Sequence, residues 1–150
     1  MTLVTESERE SGSSRAGVSG RVWVALGAIL GLAGVIAGAA GTHALRGTLD
    51  TADLATFETA VRFQIYHALG LLAVGILAEL WKEKSLAVSG VLFCVGIVIF
   101  CGSLYLISVA GLRFFGAVAP IGGLSLMAGW AMLAWTALHR RSDNQTRREE

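Results

Sequence analysis

The chain has 150 residues, 54% of them apolar and only 15% charged, with a formal net charge of +1. That balance lies outside the habit of soluble domains and marks a membrane chain. It also leaves no global basic field, so no nucleic-acid partner is expected. A hydrocarbon core about 30 Å thick takes roughly 20 helical residues to cross, so the length of each charge-free run is the informative quantity. Such runs hold 21 residues between Arg21 and His43, 16 between Arg62 and Glu79, 28 between Lys84 and Arg113, and 25 between Arg113 and His139.

These runs predict membrane helices over 22–41, 63–80, 86–109 and 114–138, within one transmembrane domain covering 22–138. The composition shows no ten-residue alternation of a barrel, and backbone in lipid must satisfy its own hydrogen bonds. The expected fold is therefore an all-α integral membrane protein, four transmembrane helices in a compact bundle. The flanks, 1–21 and 139–150, are polar, Ser-rich or charged and lack apolar periodicity, so they are expected to be mobile cytoplasmic tails.

The first helix carries Gly27, Gly31, Gly34, Gly38 and Gly41 at spacings of 4, 3, 4 and 3, along one face. Small residues let a second helix approach closely, which drives association in lipid. Packing within the four-helix unit is the preferred reading of this face, and self-association into a dimer or larger ring is the alternative. The small residues "AGAAG" at Ala37 to Gly41 resemble a signal-peptide cleavage site, but the preceding apolar run exceeds the 7–15 residues of a signal core. The helix is expected to be retained.

Asp50 or Thr51 can cap a helix with Asp53 in its first turn, and nothing before Leu80 stops it. The second membrane helix is thus expected to begin early, with an interfacial segment over about 51–62 on which Leu54, Phe57, Val61 and Ile65 form a stripe. Glu58 and Arg62 are four apart, a spacing that allows an ion pair, and Arg62 can snorkel at the membrane boundary. His67 lies about 7.5 Å deeper and shares a face with Gln64. An ionisable group inside a membrane faces a bundle or a water cavity, so His67 is a functional candidate by default. A neutral histidine hydrogen-bonded across the bundle to Ser103 or Tyr105 is the preferred structural reading. On that reading His67→Ala costs more stability than Glu58→Ala.

Cys94 and Cys101 are seven residues apart on one helix, too far to bridge each other, and are expected to be reduced packing residues. The sequence offers no zinc or iron–sulfur ligand spacing, and no metal or cofactor is expected. A metal or haem pair of His43 with His67 is a minor alternative. In the fourth helix, Pro120 cannot bond to the carbonyl of Gly116, and Gly122 with Gly123 loosens the next turn, so a kink or short unwound segment is expected.

Orientation follows lysine and arginine. Arg9, Arg15 and Arg21 precede the first helix, Lys82 and Lys84 lie in the second connection, and Arg140, Arg141, Arg147 and Arg148 follow the last. Only Arg46, Arg62 and Arg113 fall on the other side. Both termini are expected in the cytoplasm.

The stretches "GAAGTHALRGTL", "FETAVRFQIYHALGLL" and "GSLYLISVAGLRFFGAVAPIGGLSLMAGW" resemble, in order, the motifs of the YgdD-like family of small bacterial inner-membrane proteins, which has eukaryotic relatives. The resemblance covers about 27–135 and implies four membrane helices in a bacterial plasma membrane, with no established activity. It singles out His43, Glu58, Arg62, Gln64, Tyr66, His67, Ser103, Tyr105 and Pro120. Ala40 stands where the family usually has an aromatic, and Ala119 where a threonine often precedes the proline. Two functions are carried forward. The first is a non-enzymatic packing, interaction or accessory protein whose partners are the bilayer, a second copy or another membrane protein. The alternative is a small transporter or channel using the Gln64 and His67 face and the Pro120 break. No nucleophile with an adjacent base is readable, so no enzyme is expected.

Overall fold

The computed structural model describes residues 19–149. Its four long helices are all apolar and long enough to cross a membrane: α1 (Gly20–Leu45), α2 (Thr51–Trp81), α3 (Ser85–Ala110) and α4, which opens with a 3-10 turn at Arg113–Ala117 and continues as Ala119–Glu149. Ser19 caps α1, accepting from the backbone N–H of Arg21, and Asp50 caps α2, accepting from that of Asp53 at 2.8 Å. A left-handed Lys82 (φ 56°) closes α2 by donating its N–H to Ala78 O, and Gly111 (φ 68°) closes α3 in the same backbone region.

Boundaries differ from the charge-free runs for physical reasons. The interfacial segment and second membrane helix form one 31-residue rod, Thr51–Trp81, without a joint. At about 1.5 Å per residue this rod is about 46 Å long, so its first turns project beyond a hydrocarbon core about 30 Å thick. Pro120 is not a mid-helix kink. The chain leaves α3 at Gly111, makes the 3-10 turn, and starts the α-helix at Ala119, which puts Pro120 in the first turn, where its missing N–H breaks no hydrogen bond. Two π-helical turns, Gly41–Leu45 in α1 and Ile97–Cys101 in α3, interrupt helices expected to be regular. At the other end α4 continues as helix through 139–149, where an irregular tail is expected, because "HRRSDNQTRRE" holds no glycine or proline to end it. The expected N-terminal tail, apart from its last residues, lies outside the described residues.

Helices pack chiefly with their sequence neighbours: α1 along α2, α2 beside α3, and α3 along α4. The glycine face of α1 is covered by α2. A Cβ added to Gly27 would lie 2.8 Å from Ala68 O, one on Gly34 2.8 Å from Ile65 Cγ1, one on Gly38 3.4 Å from Val61 Cγ1, and one on Gly41 3.0 Å from Phe57 Cε1. Gly31 is looser, with Ala68 Cβ at 3.9 Å. The stripe extends to Gly20, which meets Gly75 where the two backbones nearly touch. Buried Gly20, Gly27, Gly34 and Gly41 repeat every seven residues, and so do Val61, Ala68 and Gly75 on α2. Two seven-residue repeats facing each other give the left-handed seam usual in membrane bundles. This face is thus taken up by packing within the chain.

The core centres on Phe93 of α3, fully buried, which fills the hollows over Gly70 of α2 and Gly129 of α4. Trp23 of α1 reaches past α2 to lie on Gly90. Cys94 and Cys101 are free, the second buried. Outward faces carry Ile29, Leu32, Val35, Leu69, Ile76 and Val98, all more than half exposed, as a lipid-facing surface requires.

Candidate functional site

Between the α1–α2 and α3–α4 hairpins, one polar side chain ties three helices. Gln64 of α2 donates through Nε2 to Leu30 O of α1 at 2.9 Å and accepts through Oε1 from Tyr105 OH of α3 at 2.9 Å. Amide nitrogen and oxygen are both engaged, which is how a buried glutamine avoids the cost of an unpaired polar group. Gly34 makes room, since its missing side chain leaves Gln64 Nε2 only 3.6 Å from where a Cβ would stand. The ring of Tyr105 packs on Phe57, with centroids 5.1 Å apart.

His67 is buried one turn further along α2, but it does not bond across the bundle to Ser103 or Tyr105. Its Nδ1 lies 2.7 Å from Phe63 O of its own helix. A carbonyl only accepts, so Nδ1 donates in this contact. The ring stacks on Phe63 and meets Phe93 edge-on at 5.6 Å and Trp130 at 6.1 Å. The tyrosine hydroxyl expected to serve His67 is taken by Gln64, and Ser103 is buried in α3. Other hydroxyls tie α3 to α4: Ser89 donates to Gly129 O and Ser125 to Leu92 O, each at 2.8 Å.

At the far end of the α1–α2 hairpin the expected Glu58–Arg62 ion pair does not form. Arg62 Nη2 donates to Thr59 Oγ1 at 3.3 Å, and the one ion pair among the described residues joins Arg113 to Asp53. Arg113 grips both carboxylate oxygens, at 2.7 and 3.0 Å, and so fastens the α3–α4 connection to the first turn of α2. Glu58 and Arg62 instead border a groove of about 220 Å³ between Gly38, Gly41 and Thr42 of α1 and Phe57 of α2. Tyr66 faces outward, 56% exposed. His43 is exposed in the π-helical turn and His67 is buried, so the two do not share an environment. Among the described residues no three His, Cys, Asp or Glu side chains converge.

Sequence reasoning thus named Gln64, His67 and Tyr105 but missed which of them pair. It also missed Asp53 with Arg113, 60 residues apart, and the central place of Phe93. The acid in the first turn of α2 was a signal for the former, but its partner was legible only as a topology charge.

A sequence-family model described as "Protein of unknown function (DUF423)" matches residues 37–123, the stretch that carries the groove, Gln64, Tyr105 and Pro120. The chain belongs to this family. A UPF0382 membrane protein of Staphylococcus saprophyticus is 41% identical over 113 residues, covering 75% of this chain and 93% of that protein. The UPF0382 membrane protein YwdK of Bacillus subtilis is 40% identical over 119 residues, 79% of this chain and 97% of its own. The UPF0382 inner membrane protein YgdD of Escherichia coli is 31% identical over 118 residues, 79% and 82%. No solved structure matches. Family membership and four spanning helices make this an integral membrane protein of unknown molecular function, and the names of these relatives carry no enzyme activity.

Proposed function

We propose that the chain is a non-enzymatic packing or accessory protein of the plasma membrane, working through contacts with lipid, with a second copy or with another membrane protein. One observation carries the reading: several polar side chains inside the spans spend their hydrogen bonds on holding the chain's own helices together. Gln64, Tyr105, Ser89 and Ser125 are all engaged in bonds between helices. A path for an ion or solute needs polar groups with spare capacity lining a wet cavity. A discontinuous helix of the transporter kind has its break at the midplane, whereas Pro120 begins its helix. Purified protein reconstituted into liposomes is expected to pass protons and small cations no faster than empty liposomes, with His67→Leu indistinguishable from the parent. Flux above that baseline which His67→Leu abolishes would establish the transporter reading instead.

On the same reading both termini face the cytoplasm, which nine lysines and arginines on their side against three on the other support. Cysteines introduced at Ser13 and Asn144 are expected to be shielded from an impermeant thiol reagent in intact cells, and one at Thr48 to be labelled. Labelling of either terminal site without lysis would reverse the assignment.

A further inference from the structure

The groove at the α1–α2 end has a property that helix packing does not require. Glu58 and Arg62 stand one turn apart on α2 and border the same hollow, yet among the described residues they form no ion pair with each other or with any third group. Opposite charges at this spacing are close enough to pair. Here the Arg62 guanidinium leans toward Thr59 at 3.3 Å, leaving most of its donors open and Glu58 as a separate anion. On the α1 side the hollow is lined by Gly38, Gly41 and Thr42, where the helix passes into its π-helical turn. Its volume, about 220 Å³, is below the roughly 300–1,000 Å³ of pockets that enclose a drug-sized molecule, so it has room only for a small group.

Depth fixes where that group comes from. Arg62 opens the charge-free run of α2 and His43 ends that of α1, so on both helices the groove lies where hydrocarbon gives way to headgroups. Arginine at this level presents a planar fork suited to a phosphate. The carboxylate beside it excludes a purely anionic headgroup and accepts from an N–H cation, with the Thr42 hydroxyl oxygen as a second acceptor. That hydroxyl already donates, to Gly38 O at 3.0 Å. Phe57, the aromatic at the floor, is buried and packed on Tyr105, so no open aromatic cage is offered to a quaternary ammonium.

We infer that this groove binds the headgroup of an aminophospholipid, with the phosphate on Arg62 and the primary ammonium on Glu58, the acyl chains lying outside against α1 and α2. A headgroup carrying both charges meets both unpaired side chains without burying either charge alone.

The test uses full-length protein in detergent, titrated with short-chain phosphatidylethanolamine, phosphatidylcholine, phosphatidylglycerol and free phosphoethanolamine, followed by native mass spectrometry and thermal shift. Phosphatidylethanolamine is expected to remain as a bound adduct and to raise the melting temperature, with the other three binding at least about tenfold more weakly. Glu58→Gln is expected to erase the preference over phosphatidylcholine, and Arg62→Gln to erase the adduct. Both side chains are exposed, so the lipid-free melting temperature of each variant reports whether it folds. Equal binding of phosphatidylcholine, or an undiminished preference in Glu58→Gln, would overturn the assignment of the ammonium. Equal binding of free phosphoethanolamine would overturn the assignment to lipid. Occupancy of the groove is read without any flux measurement, so it fails or stands separately from the absence of transport.

Discussion

Replacing Gly75 with alanine is expected to lower the melting temperature of the purified protein sharply, whereas the same change at Gly31 leaves it level or raises it. A Cβ on Gly75 would lie 2.7 Å from Gly20 O and 2.8 Å from Val24 N, both backbone atoms of α1 that cannot swing aside. The helices must then move apart where Gly20 and Val24 meet Gly75, and overpacking of this kind costs about 1–3 kcal/mol. At Gly31 the nearest atom is Ala68 Cβ at 3.9 Å, an ordinary contact, and alanine is the better helix former by about 0.5–1 kcal/mol. The signs should therefore be opposite for two glycines on one face of one helix pair. Gly34→Leu belongs with Gly75, because its Cβ already crowds Ile65, while Leu32→Ala, at a lipid-facing position 62% exposed, belongs with Gly31. Equal losses at Gly75 and Gly31, measured by thermal unfolding in detergent, would dismiss close backbone approach as the source of stability.

Gln64→Leu is expected to destabilise the protein more than His67→Leu, although histidine is the residue that sequence reasoning ranks first. Leucine at 64 removes two hydrogen bonds between helices and leaves the Tyr105 hydroxyl without its acceptor. Orphaning a buried partner costs about 1–3 kcal/mol, with bonds between membrane helices nearer about 0.6–1.7 each. Leucine at 67 removes only a bond to Phe63 O, which the helix backbone still satisfies, and leaves an apolar side chain among aromatic rings. His67→Ala nevertheless costs more than Glu58→Ala, because alanine leaves a hole beside Phe63, Phe93 and Trp130, and Glu58 is exposed. Unfolding curves for the four variants check the order. A larger loss in His67→Leu than in Gln64→Leu would mean that the imidazole holds the bundle through a bond other than the one to Phe63.

Four spans were legible because charge-free length is a one-dimensional property, and it reads directly from Arg21, Arg62, Lys84 and Arg113. The second run looked short at 16 residues because Arg62 and Glu79 bound it, yet both are exposed and the helix runs past them from Thr51 to Trp81 without interruption. The glycine face of α1 announced close packing but not its partner, which depended on noticing Ala68 and Gly75 seven apart in α2. Pro120 was ambiguous in principle: the same residue breaks a helix from inside and begins one from its first turn, and the 3-10 turn at Arg113–Ala117 decides between these by delaying the α-helix to Ala119. Nothing local marks the π-helical turn in "IVIFC", which falls where Phe100 lies across Gly122. The pairing of Gln64 with Tyr105, 41 residues apart, exists only once α2 and α3 stand side by side.

Packing between sequence neighbours also orders events during synthesis. When α2 enters the bilayer, α1 is already there to receive it, and when α4 enters, α3 is waiting. Each hairpin closes over a short loop, so neither requires a search among distant segments. Contacts that reach across the hairpins, Gln64 with Tyr105 and Phe93 with Gly70, can form once α3 has been inserted, whereas those of Phe93 with Gly129 must wait for α4. The third helix can thus dock on the finished α1–α2 hairpin before its own hairpin is complete, and the contacts of Phe93 with α4 are the last to be made.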